Sequence, residues 1–95
     1  MGSSDKLNVK ELVACLGGIN NISSSENCVT RLRIEIKDSD NLPVSKKDVC
    51  ANLLKVPSVI SADFISDHGI NVFAPTKVVV YNELLNEMLS EDQGD

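Results

Sequence analysis

The chain has 95 residues, 42% hydrophobic and 24% charged, which is room for one domain with one modest core and no deep cavity. A formal charge of −5 and an aromatic content of 3% argue against a phosphate-backbone partner and against stacking platforms for single-stranded nucleic acid. No apolar run approaches the roughly 20 residues of a membrane span. The start Met1-Gly-Ser-Ser-Asp5 lacks the basic and apolar stretches of a signal peptide, and three cysteines without a C-x-x-C pair suit free thiols in a reducing cytoplasm.

In chain order, the first helix is expected from Asn8, an N-cap with Glu11 at the capping-box position. Val9, Leu12, Val13 and Leu16 form its apolar stripe, and Gly17-Gly18 closes it in the left-handed cap conformation. Asn20 to Ser25 is polar and reads as a short edge strand or loop. Thr30 to Lys37 alternates cleanly, with Leu32, Ile34 and Ile36 toward a core and Arg31, Arg33, Glu35 and Lys37 away from it. Asp38 to Pro43 is turn chemistry. Ser45 then caps a second helix with Asp48, and Val49, Cys50, Leu53 and Leu54 are its stripe. Val59–Ile65 and Ile70–Ala74 are strands around an Asp67-His68-Gly69 turn. Pro75-Thr76 opens a last helix with Tyr81, Leu84, Leu85, Met88 and Leu89 on one face.

The expected fold is α+β, an α-β-β-α-β-β-α two-layer sandwich with a four-stranded antiparallel sheet and helices on one face. Residues 1–7 are expected as a flexible or cloning-derived lead-in, 8–90 as the domain and 91–95 as a frayed acidic tail.

Chemistry concentrates in Cys28-Val-Thr-Arg-Leu-Arg33, which holds both arginines of the chain. At positions i and i+2 of a strand, Arg31 and Arg33 share one face and can grip an anion bidentately, which lysine cannot. Thr30 adds a hydroxyl, and turn amides can add more donors. Positive neighbours raise the reactive thiolate fraction of a cysteine. Two readings stay open on residue chemistry alone. In one, Cys28 is a nucleophile at the mouth of an anion site. In the other, it is a half-buried thiol beside surface arginines paired with Glu26 or Glu35. Strict alternation puts Cys28 on the face opposite the arginines, so the first reading requires the turn to break parity.

Other chemistries fit less well. Cys15 and Cys50 fall on helical apolar stripes and read as core. His68 reads as a solvated turn residue, and one histidine with scattered cysteines makes no zinc site. Glu83, Glu87, Glu91 and Asp92 read as a solvated helix face. No G-x-x-x-x-G-K-[ST] loop is present for ATP. The arginines follow Cys28 by three and five positions, whereas phosphatase-type cysteine loops place theirs six later.

The segment Asn27-Cys-Val-Thr-Arg-Leu-Arg33 resembles the signature of the B domain of enzyme II in the glucose and sucrose/β-glucoside branch of the bacterial phosphoenolpyruvate-dependent sugar phosphotransferase system. Leu16-Gly-Gly-Ile-Asn-Asn-Ile22, Gly69-Ile-Asn-Val72 and Tyr81 resemble further segments of that family at its spacing, and the similarity runs from about Val9 to Met88. The resemblance implies the same sandwich fold and a protein-phosphocysteine–sugar phosphotransferase without cofactor or metal. Cys28 matches the phosphorylated cysteine, and Thr30, Arg31 and Arg33 match positions around the phosphate. It also implies a phosphohistidine donor, the enzyme II A domain, and an acceptor sugar in a membrane-embedded C domain, with the chain in the cytoplasm at the inner membrane face. A non-catalytic regulatory module of the same fold is the alternative; the intact Cys-x-Thr-Arg-x-Arg speaks against it.

Overall fold

A computed structural model describes residues 2–93. Helix α1 spans Gly2–Cys15 and buries Val9, Leu12 and Val13, with Leu16 just beyond it. It ends as the glycines require. The Gly18 amide donates to the Val13 carbonyl at 2.9 Å and that of Gly17 to Ala14 at 3.2 Å, a Schellman closure with Gly17 at φ 96°. The helix starts earlier than expected, so Asn8 lies inside it and is not its cap. Nothing in residues 2–7 breaks a helix, and two tertiary contacts hold this stretch. Asp5 accepts from Lys77 at 3.2 Å, and the Asn8 amide donates to the Tyr81 hydroxyl at 3.3 Å.

A 3₁₀ turn at Ile19–Asn21 leads into strand β1, Ile22–Asn27, and strand β2 follows at Arg31–Ile36. A second 3₁₀ turn, Ser39–Asn41, is capped by the Asp38 carboxylate. Buried Asn21 ties this corner together: its amide donates to the Leu16 carbonyl at 2.8 Å and its oxygen accepts from the Asp38 amide at 3.1 Å. Helix α2, Lys46–Leu53, has the expected Ser45 cap, whose hydroxyl accepts from the Asp48 amide. Leu54 departs from the expected stripe: the helix stops at Leu53, and Leu54 is half exposed. Strand β3, Ser61–Phe64, is shorter than the run that announced it, whereas β4, Gly69–Phe73, keeps the expected length and begins one residue earlier. Helix α3, Val78–Gln93, buries Tyr81, Leu85 and Leu89. Its helical turns continue past residue 90, where a tail was expected; residues 94 and 95 of that tail lie outside the described residues.

The sheet order is β1-β2-β4-β3, with every neighbouring pair antiparallel. The helices pack on one face over Leu32, Ile34, Ile36, Ala62, Ile70 and Val72, all buried. The other face is open. It presents Glu26, Arg31, Arg33, Glu35, Ser61 and Asp63, all exposed, as one-sided alternation demands. Tyr81 is fully buried and meets the need for a hydroxyl partner by donating to the Pro57 carbonyl at 2.7 Å.

Candidate functional site

Two irregularities in the first hairpin decide where Cys28 points. The first is a β-bulge. Ile22 pairs with Ile36 but Ser24 with Glu35, so one extra residue sits in β1. Past the bulge the strand's parity is inverted. Ser25 becomes buried and meets α3, while Glu26 faces the open side opposite Arg33. The second is the turn itself. Asn27 pairs with Leu32, and the Cys28 amide donates to the Arg31 carbonyl at 2.8 Å. The register therefore carries Cys28 opposite Arg31, on the open face. The parity break that the nucleophile reading required is present, and its cause is the hairpin register.

Around Cys28 the loop is arranged for contact with an outside group. Cys28 is exposed, and Val29 at the tip is 89% exposed. The Cys28 amide is spent on Arg31, and the Thr30 carbonyl accepts from Ala74 at 3.1 Å, which ties the loop to the end of β4. Among the described residues the Val29 and Thr30 amides make no backbone hydrogen bond, so both remain available as donors.

The two arginines are held differently. Arg31 lies over the ring of Phe73, its neighbour on β4, with the guanidinium carbon 5.3 Å from the centroid. Arg33 stands between Glu26 on β1 and Asn71 on β4. Among the described residues neither arginine forms an ion pair, so the pairing with Glu26 or Glu35 required by the alternative reading is absent. Arg33 is an exposed, unneutralised guanidinium one row behind the loop. Such a group can grip a dianion without first losing a carboxylate partner.

The remaining candidates fall elsewhere. Cys15 and Cys50 are half-buried against the core, and burial is the main reason both thiols sit above their usual pKa. Glu11 beside Cys15 pushes that thiol further the same way, although Lys55 pulls it back. His68 lies at the far end of β2 from Cys28. Its amide nitrogen donates to Ser66, its carbonyl accepts from Ile36 at 2.8 Å, and Nδ1 lies 3.3 Å from the Ile36 carbonyl. Four residues of extended strand, roughly 13 Å, separate the row of Arg31 from that of Glu35 next to this turn. His68 does not share a site with Cys28. Among the described residues no group of three or more His, Cys, Asp or Glu side chains could hold a metal ion. A groove between α1 and α3, lined by Lys6, Lys10, Leu84 and Met88, opens in the helix layer away from the cysteine loop.

Neither Phe73 nor the asparagines of α3 that meet β1 stand out in the sequence. Arg31 and Phe73 are 42 positions apart, and only strand order reveals them as neighbours. The asparagines recur at helical spacing but carry no apolar signal, because polar residues on a helix ordinarily read as its wet face.

Known proteins resemble this chain over the stretch that carries the cysteine loop. The family described as phosphotransferase system, EIIB, matches residues 10–42, a stretch that includes Cys28, Thr30, Arg31 and Arg33. An N-acetylmuramic acid-specific EIIBC component of the phosphotransferase system from Aliivibrio fischeri is 29% identical over 87 residues, covering 92% of this chain and 17% of that protein. The protein of the same description from Pasteurella multocida is 38% identical over 63 residues, covering 66% of this chain and 13% of its own length. The chain thus spans less than a fifth of these relatives. Among solved structures, one domain of the phosphotransferase system IIabc component from Clostridium difficile superposes with a TM-score of 0.69 at 24% identity, covering 94% of this chain and 85% of that one. That likeness speaks to the fold.

Proposed function

The chain belongs to the EIIB family of the phosphotransferase system, and on that premise we propose that Cys28 carries a phosphoryl group from a phosphohistidine donor to a sugar. In the first step the Cys28 thiolate attacks phosphorus. The S–P bond forms as the N–P bond of the donor histidine breaks, and the imidazole leaves neutral once it takes a proton. In the second step a sugar hydroxyl oxygen attacks, the S–P bond breaks, and the hydroxyl proton is released. Covalent relay divides one difficult transfer into two easier ones. The donor is an enzyme II A domain. The acceptor sugar is held by a membrane-embedded C domain, with this chain at the cytoplasmic face of the membrane.

The observation that carries the reading is the joint position of Cys28, Arg31 and the free loop amides on the open side of the first hairpin. In this reading Arg31, Arg33, the Thr30 hydroxyl and the amides of Val29 and Thr30 serve as donors to the oxygens over which the transferring group's charge spreads. The ring of Phe73 holds Arg31 without neutralising it. The cysteine loop projects at the end of the sheet, which suits access by a protein surface. Relatives described as EIIBC components support an attached C domain, and no helix among the described residues is long and apolar enough to cross a membrane. The sugar named for those relatives belongs to proteins of which this chain spans a small part, so selection of the sugar is assigned to the C domain.

The test is sugar phosphorylation in membranes bearing the C domain, supplied with phosphoenolpyruvate, the upstream carrier proteins, the A domain and this chain. Wild type should form sugar phosphate, and Cys28→Ser should give only background. A Cys28→Ser protein as active as wild type would sink the proposal.

A further inference from the structure

The strand that ends at Cys28 is fastened to the helix layer by an amide network, not by apolar packing. In β1 (Ile-Ser-Ser-Ser-Glu-Asn) only Ile22 contributes to the apolar core. Near the loop, the attachment is Asn82 of α3. Its Nδ2 donates to Asn27 Oδ1 at 2.9 Å, and its Oδ1 accepts from the hydroxyl of buried Ser25 at 2.7 Å. Asn86, one turn along, donates to the Ser25 carbonyl at 3.2 Å and to the Asn82 carbonyl at 3.0 Å. Asn27 in turn reaches the Cys28 carbonyl at 3.4 Å. The chain of contacts runs from α3 to the peptide of the nucleophile in two steps.

From this network we infer that Asn82 is a positioning residue for Cys28, acting through Asn27 and Ser25. Apolar contact fixes how far apart two surfaces sit, but hydrogen bonds at both ends of one amide also fix their direction. Both amide ends of Asn82 are engaged with the strand, and the strand has already been turned over by its bulge so that Ser25 and Asn27 face the helix. That orientation is the one that puts Cys28 on the open face with Arg31 and Arg33. From the other side the Ala74 amide grips the Thr30 carbonyl, so the loop is anchored at both of its ends and free only at the tip.

The kinetic part of this inference rests on the phosphoryl-carrier reading; the structural part does not. Asn82→Ala and Asn27→Ala, alone and together, should be compared with Leu89→Ala, which weakens α3 packing far from the loop. Three quantities are read: hydrogen exchange at the two amides whose bonds close the loop, Cys28 to the Arg31 carbonyl and Ala74 to the Thr30 carbonyl, and kcat and KM for transfer from the phosphorylated A domain. Asn82→Ala should speed loop exchange and lower kcat roughly 10- to 100-fold with KM within about twofold, the signature of a misplaced reacting group. The double variant should be no slower than the slower single one, since both changes cut one link. Leu89→Ala should lower the melting temperature while leaving kcat and loop exchange unchanged well below it. Wild-type loop exchange in Asn82→Ala, additive kcat losses, or an equal kcat loss in Leu89→Ala would each overturn the inference. If instead Cys28→Ser accepts phosphate as fast as wild type, the carrier reading falls, and the exchange measurement still decides whether Asn82 holds the loop.

Discussion

The two hairpins of the sheet carry turns at opposite ends, and they dispose of their polar groups in opposite ways. The β3–β4 turn meets most of its polar groups with protein partners. Asp67 pairs with Lys46, the His68 amide meets Ser66, the Ser66 amide meets Gly69, and the His68 carbonyl takes the Ile36 amide. The β1–β2 turn is tied down at its flanks and open at its tip, where, among the described residues, two amides have no protein partner beside an exposed thiol and an arginine that forms no ion pair. Both turns join antiparallel strands and both are polar in sequence. One completes a structure, whereas the other keeps donors in reserve for a group that arrives from outside. Donors held only by water can be turned to an incoming anion without breaking a protein contact, so a turn that gathers them beside a thiol is a candidate site.

The largest effect that can break this comparison is on the reserved side. Arg31→Lys and Arg33→Lys should fold normally, since neither side chain enters the core, and at least one should slow transfer to sugar by about 10²–10³ while still being charged by the A domain. Arg33 is the stronger candidate, because Arg31 also has Phe73 to hold it. Wild-type sugar transfer by both variants would reduce the pair to surface charge. A smaller effect concerns the thiols. In the folded protein Cys28 should react with iodoacetamide at least about tenfold faster than Cys15 or Cys50 near neutral pH, read by peptide mass mapping. Burial shields the other two and raises their pKa, which keeps them protonated. Faster modification of either would contradict the contrast.

The smallest effects belong to the satisfied turn. His68→Ala and Asp67→Asn should leave phosphoryl transfer unchanged. The hydrogen bond and charge of Lys46 hold the Asp67 carboxyl below its ordinary pKa, so what the pair contributes is present at neutral pH and lost as pH falls through the acid range. The carboxylate is fully exposed, and solvent screening should make that loss hard to detect in a melting curve. A transfer defect in His68→Ala would show that the two ends of the sheet are not independent.

Much of this arrangement is legible in the order of the residues alone. The stripe of α1, the Gly17-Gly18 closure, the alternation of β2 and the Ser45 cap follow from local rules, and each holds in the fold. Local rules fail at Asn8, where tertiary contacts extend the helix past a plausible cap, and at Leu54, where the helix ends one residue early. The site is legible in its residues but not in its geometry. Which face Cys28 takes depends on one extra residue between Ile22 and Ser24 and on the pairing of Asn27 with Leu32. A run of three serines carries no apolar alternation from which that bulge could be read. Asn82 and Phe73 lie 54 and 45 positions after Cys28, so only strand order and helix placement bring them to it.

The central claim is that Cys28, and no other residue, holds the phosphoryl group. Intact mass after incubation with phosphoenolpyruvate, the upstream carriers and the A domain tests it most directly. Wild type, Cys15→Ser and Cys50→Ser should each gain one phosphoryl group, about 80 Da, in an adduct cleaved by iodine as a thiophosphate ester is. Cys28→Ser should gain nothing. An adduct that persists in Cys28→Ser, or one that iodine leaves intact, would contradict the account.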